Sequence, residues 1–474
     1  MPEGHEHLND DEKHLAKLGY VQELQRSWSG FSNFAISFSI ISILAGCFTS
    51  FGLGWNNGGP AAIAWGWPLI SIFILIVGLC MSELVSAFPT SGGIYWWASK
   101  LGGAKAGFYT GWLNLIGLIA ILASVAYGCA TFLDLTLGTF SETWLNGYSL
   151  KRTFLLFVII LAISATINIF SAHLLAIINN ISVWWHVAGA AAVIVILWVI
   201  PEQHASFGDV FAKTINNSGM FGGSTSGWGF LLFVLPIAAI LTQYTITGYD
   251  ASAHLSEETL SAANAAAKGI WQSIFYSAIG GWILLLSFLF AVQDSDAVSA
   301  GGGAVVTIFN QAMSSKKVPA NGVIVTAVLA AIITLPALVE VDINGAPVPV
   351  AFFAVVSIGV VGLYLCFAVP IYYRWKAGDS FEQGRWNLGT KWKWMAPIAI
   401  IEILITSAVA MFPTSSGGVP WGDSFEWKFV NYTPLLVGGV LLLLWIYWHV
   451  SVKNWFIGPI KQVDETGEEL EGVS

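Results

Sequence analysis

The chain has 474 residues, of which 56% are hydrophobic and only 10% charged, with a mean hydropathy of +0.71. A soluble domain carries about 25% charged residues, so composition excludes a soluble fold and predicts an all-α polytopic membrane protein. The net charge of −9 points to no partner, because most of such a surface faces lipid. Nothing resembles a basic nucleic-acid patch.

Residues 1–30 are polar, lack the apolar run of a cleavable signal peptide, and read as a cytoplasmic N-terminal tail. A membrane domain is expected over 31–456 and a second cytoplasmic tail over 457–474. A spanning helix needs about 20 apolar residues. Runs of that kind lie near 31–55, 62–88, 106–137, 152–170, 174–200, 229–256, 269–292, 320–340, 348–373, 395–412 and 432–452, eleven in all. Cys47, Cys80, Cys129 and Cys366 fall inside these runs and are expected as free thiols.

Cytoplasmic loops are enriched in Lys and Arg, so the 19 basic residues test the count. Eleven strictly alternating spans with the N-terminus inside leave only seven basic residues inside. One further crossing between Asp294 and Pro319 brings "RWKAGDSFEQGRWNLGTKWK" (374–393) inside and raises the total to fifteen. The only apolar material there is "AVVTIFNQAM", ten residues, which cover about 15 Å of a roughly 30 Å core. Charge counts twelve crossings where hydropathy counts eleven.

Two spans are weakened at mid-depth. The first contains "SILAGCFTSFGLG", with Ser42, Ala45, Gly46, Thr49 and Ser50. The sixth runs into "TITGYDASAHLSEET", with Thr245, Thr247, Gly248 and Ser252. Gly costs a helix roughly 1 kcal/mol relative to Ala, and Ser and Thr offer the backbone competing hydrogen bonds. Unwound backbone in a membrane is tolerated where it lines a cavity or is buried in protein. Freed N–H groups suit a carboxylate and freed carbonyls an ammonium. Interruptions in spans one and six, five apart, predict two inverted five-helix repeats; close packing of small residues is the alternative.

At "GFSNFAISFSIISILAG", "SELVSAFPTSGGIYWW" (82–97), "NNISVWWH" (179–186), "TGYDASAHLSEET" (247–259) and "FFAVVSIGVVGLYLCFAVPIYYRW" (352–375) the chain resembles the amino acid–polyamine–organocation superfamily, in particular its amino acid/choline permeases. The resemblance covers about residues 18 to 458. It implies a LeuT-like 5+5 inverted repeat with two extra C-terminal helices, about eleven of them here because the family's eighth helix is missing before Pro319. It also implies a multi-pass plasma-membrane carrier of amino acids or related amines such as γ-aminobutyrate or choline, coupled to protons or working by exchange.

Under that resemblance Ser42, Ala45 and Gly46 form the carboxylate-holding break, with a register slipped by three toward Thr49 and Ser50 as the alternative. Thr245, Thr247, Gly248 and Tyr249 form the second break, with Tyr249 as an aromatic lid or a packing residue. Asp250 and His254, four apart, share a helical face if the helix resumes after Gly248. They are expected in coupling, or in pinning the helix. His186 stands six residues after the Asn pair, where proton-coupled relatives carry a lysine; it is a coupling residue or a hydrogen-bonded core histidine. Glu83, at the inner end of span two, is assigned to the gate, paired with a basic or backbone donor. Glu257 and Glu258 read as gate or topology features.

No Gly-x-Ser-x-Gly, His-Glu-x-x-His or Walker motif is present, so neither an enzyme, a bound cofactor nor a metal site is expected. A non-transporting paralogue or truncated isoform is the competing function, made plausible by the lost crossing.

Overall fold

The structure is a computed structural model, and it describes residues 10–24, 26–140, 144, 150–170, 172–300, 304–314, 341–343, 346–348 and 350–462. A short helix, α1 (Asp10–Lys17), precedes the membrane domain. α2 (Gly30–Ile41) opens where the Ser32 N–H donates to the Ser29 hydroxyl, and it stops at Ser42. α3 (Ile43–Ala87) follows at once and holds one non-helical residue, Gly59, at φ 74° before Pro60. Glycine accepts that φ and proline lacks the N–H a continuing helix would need. The turn expected between the first two spans is therefore a single hinge.

The chain continues through α4 (Gly93–Phe140), α5 (Leu150–Phe170), α6 (Ala172–Val199) and the short α7 (Phe207–Phe211). The sixth expected span is α8 (Gly227–Thr245), with a π turn at Phe230–Val234, followed after a break by α9 (Ala251–His254). Then come α10 (Ala262–Ala291), α11 (Ser295–Ala300), α12 (Ala304–Ser314), α13 (Val350–Ala377), α14 (Trp392–Val409) and α15 (Thr433–Val450). Outside the helices, the described residues include one antiparallel hairpin pairing Val341–Ile343 with Ala346–Val348. Eight described helices are long and apolar enough to cross a membrane; the first, Gly30–Ala87, has 58 residues, enough for two crossings. The span expected at 320–340 and the gap before Pro319 lie outside the described residues.

Two helix pairs organise the interior. α3 and α10 exchange indole hydrogen bonds: Trp67 donates to the Ala278 carbonyl and Trp282 to that of Ala64, each at 2.8 Å. α4 and α13 approach through glycine, since a Cβ at Gly362 would lie 3.0 Å from the Gly117 Cα. Small residues at such a crossing let backbones meet closely, the main attraction open to helices in lipid. The four cysteines are buried and free.

The ends of the bundle are distinguishable by their contacts. At one end Asp10 pairs with Arg385 at 2.8 Å, the Asp11 carboxylate accepts from the Ser261 N–H at 2.8 Å, and the Gln462 N–H donates to the Gly19 carbonyl at 2.7 Å. At the other, Lys213 meets Ser295 at 2.6 Å and the Ser416 N–H donates to the Ser218 carbonyl at 2.8 Å. The N-terminal tail, loop 378–391 and the chain at 461–462 thus share one end. That is the arrangement the basic-residue count asks for with its extra crossing. Single cysteines at Glu382 and Lys461 should react with an impermeant maleimide from one side of a sealed vesicle, and those at Lys213 and Trp421 from the other. The buried native thiols give little background. Labelling of Glu382→Cys and Lys213→Cys from the same side would contradict the arrangement.

Candidate substrate-binding site at two helix breaks

The first break is one residue wide. Ser42 sits at φ 26°, ψ 80°, its carbonyl accepts the Gly46 N–H at 2.9 Å, and its hydroxyl accepts the Ala45 N–H at 3.3 Å. A helix start leaves its leading N–H groups without intrahelical acceptors, so Ile43 and Leu44 present theirs at the positive end of α3. Ala45, Gly46 and Thr49, expected in unwound backbone, lie in the first turns of α3 instead. Thr49 returns its hydroxyl proton to the Ala45 carbonyl at 2.8 Å. One serine with its own capping oxygen is enough to end a helix, so the glycine downstream is free for another use. A Cβ on Gly46 would lie 2.5 Å from the Thr245 methyl; the glycine is there to let α3 touch α8.

The second break is wider. α8 ends at Thr245, Ile246 turns away at φ −92°, ψ 44°, and Gly248 takes φ 103°. A side chain at that φ is strained, and a Cβ there would run into Ile40 of α2. Thr245 and Thr247 donate to the carbonyls of Leu241 (2.7 Å) and Gln243 (2.5 Å), tying down the last turn of α8. The Gln243 carbonyl lies past the last helical acceptor, Thr242, and keeps a second lone pair for another donor. The two breaks therefore touch twice, Gly46 against Thr245 and Gly248 against Ile40.

A polar seam on α2 secures the chain beyond the second break. Ser37 donates to the Tyr249 carbonyl and accepts from the Ser252 N–H, both at 2.9 Å. Asn33 donates to the Ser252 carbonyl (3.0 Å) and the Thr259 hydroxyl (2.9 Å), while the Ser252 hydroxyl donates to the Asn33 carbonyl at 2.9 Å. Asn33 and Ser37 are four apart on one helix face. That i, i+4 polar pair inside an apolar run was the available signal, and reading the motif for resemblance alone passes over it.

The remaining predicted residues surround this junction. Tyr249 is fully buried with its ring 5.6 Å from that of Phe367. Asp250 and His254 meet across one helical turn at 3.4 Å. His186 of α6 is 5% exposed, lies 5.3 Å from the Phe38 ring one turn before Ser42, and its Nε2 has no hydrogen-bond partner. Asn179 of the same motif donates to the Ser32 carbonyl at 3.4 Å.

Glu83 stands apart, at the end that holds the N-terminal tail. Its carboxylate receives Arg374 of α13 at 2.8 and 3.3 Å and the Leu388 N–H at 3.2 Å. Arg374 lies against Phe381 and Trp392, with its Cζ 4.0 and 4.6 Å from the ring centroids. Nearby the Glu257 carboxylate accepts the Ser91 N–H at 2.7 Å, and Leu15 of α1 is 1% exposed. This end is closed by ion pairs and by the tail. At the other end a cavity of about 700 Å³ opens between Trp55, His204, Asp209, Lys213, Asp294 and Asp296.

Removing one member of a buried ion pair costs roughly 3–5 kcal/mol. Glu83→Ala should lower thermal stability by about that much, and the double variant Glu83→Leu/Arg374→Met should recover part of it. A Glu83→Ala protein as stable as the parent would show that the pair does not hold this end.

The family model described as amino acid permease matches residues 29–318. Amino-acid permease BAT1 of Arabidopsis thaliana is 30% identical, covering 96% of this chain and 97% of the relative. Its homolog in Oryza sativa subsp. japonica is 32% identical over 95% of each. The GABA-specific permease of Saccharomyces cerevisiae is 27% identical over 96% of this chain and 87% of its own length. These alignments run over 524, 524 and 523 positions, more than the residues present here, so each relative carries segments that this chain lacks. A family model spanning well over half the sequence, on a membrane bundle with paired helix breaks, decides the matter: the chain belongs to the amino acid permease family.

Proposed function

We propose that the protein is a secondary carrier of amino acids or related amines, γ-aminobutyrate and choline included, in the plasma membrane with its N-terminus cytoplasmic. One observation carries this reading: two helix breaks that touch each other deep in the bundle, one ending in free N–H groups and the other in carbonyls. The N–H groups of Ile43 and Leu44, at the positive end of α3, hold the substrate carboxylate. The carbonyls at the end of α8 and in 246–248 hold its ammonium, and Tyr249 lies over the pair. A zwitterion satisfies both ends at once.

The closed end at Glu83–Arg374 and the cavity at the opposite end support alternating access, with the substrate entering from the cavity side in this state. His186 beside α2 and the Asp250–His254 pair beyond the second break are the groups through which protons reach the site. Protonating His186 adds a charge against Phe38 and α2, one turn from Ser42, and biases the first break.

A second reading, a non-transporting paralogue, is favoured by the mismatch between eleven apolar runs and twelve charge-counted crossings, and by the segments that the relatives carry in addition. Uptake of labelled amino acids, γ-aminobutyrate and choline into proteoliposomes separates the two. The carrier reading predicts saturable uptake that rises with an inward proton gradient, and a pH profile altered in His186→Ala and His186→Lys. Binding without uptake would support the non-transporting reading. An unchanged pH profile in both variants would remove His186 from coupling.

A further inference from the structure

Glu402 is the only acidic residue in the apolar run 395–412, and α14 carries it into the interior beside the second break. It is 7% exposed. Its Oε1 accepts from the Gln243 amide and from the Thr406 hydroxyl (3.0 Å), while the same amide also donates to Thr406 at 2.7 Å. Two buried acceptors in this group have no donor, Glu402 Oε2 and Gln243 Oε1. A buried carboxylate with an unsatisfied oxygen is costly. The species the cluster lacks is one hydrogen.

We infer that Glu402 is a proton-binding site whose occupancy is passed to the second helix break through Gln243. The route is short. The Gln243 side chain contacts Glu402, and its own carbonyl accepts the Thr247 hydroxyl at 2.5 Å inside the break. With Glu402 ionised, the Gln243 amide nitrogen must face the carboxylate. Once a proton sits on the carboxyl, its O–H becomes a donor and the Gln243 amide oxygen an acceptor, so the amide can turn over. The amide has two orientations and the proton selects between them. The titratable groups on which the Glu402 charge acts are Tyr249 of the break and Tyr364 of α13, and Asp250 acts on both tyrosines. α8 contributes the neutral Gln243, and among the described residues Glu402 forms no ion pair that would hold it ionised.

The inference rests on the carrier reading for its consequence, but the proton site is testable without transport. In the purified full chain, the high-frequency C=O component of a carboxylic acid shielded from water should titrate in an infrared pH-difference spectrum, and that component should be lost in Glu402→Gln. A band of undiminished size in Glu402→Gln overturns the site. In proteoliposomes, Glu402→Gln should make uptake insensitive to an imposed proton gradient, while Glu402→Asp keeps the response. Uptake of Glu402→Gln that still follows the gradient overturns the link to the break. If substrate at fixed pH, rather than protons, removes the band, the carboxylate holds the substrate ammonium and the inference fails. Should the parent chain transport nothing, the carrier reading falls and the infrared band still decides the proton site.

Discussion

Backbone polar groups in a hydrocarbon interior have no water to turn to, and leaving one unpaired costs roughly 2–7 kcal/mol. Everything distinctive in this bundle follows from meeting that demand at two interrupted helices. The first interruption is narrow, because Ser42 caps the helix that follows it. The second opens the chain over several residues, and α2 supplies the missing partners from Asn33 and Ser37. The two interruptions are in that sense one structure. The seam that stabilises the second is carried on the helix that ends at the first.

This coupling gives a physical sense to alternating access. α2 cannot tilt without drawing on the chain between Tyr249 and Thr259, since five hydrogen bonds of the seam join them. The Glu83–Arg374 pair and the docked N-terminal tail hold the same end of the bundle. Opening that end requires the ion pair, the tail contacts and the orientation of α2 to change together. On the proposed carrier reading, a packed, two-state arrangement of this kind would convert a small local event, such as adding a proton, into a change of side.

Much of this was legible in the residues. The membrane class followed from composition, and the ten expected runs outside 320–340 are largely helical, two of them interrupted at Ser42 and at 246–250. The second break was visible in Gly248 and its flanking threonines. The first is narrower than its residues suggest: of Ser42, Ala45, Gly46 and Thr49 only Ser42 leaves the helix, and Gly46 serves close contact with Thr245. Sequence periodicity cannot tell a glycine that breaks a helix from one that lets two helices touch, because both ask only for a missing Cβ. Arg374 and Glu402 went unassigned for a different reason. Their partners, Glu83 and Gln243, are 291 and 159 residues away, and one sequence holds no record of such pairing. Loop 374–393, by contrast, is grouped with the N-terminal tail by the twelve-crossing charge count, a property that adds up over the whole chain, and Arg385 of that loop pairs with Asp10.

The central claim is that a single solute is gripped by both interruptions at once. Hydrogen–deuterium exchange of the purified chain, read by mass spectrometry with and without a bound amino acid, measures it directly. The account predicts slower exchange on binding in peptides covering 42–46 and 246–250 together. Protection of neither stretch, or of one without the other, would contradict it.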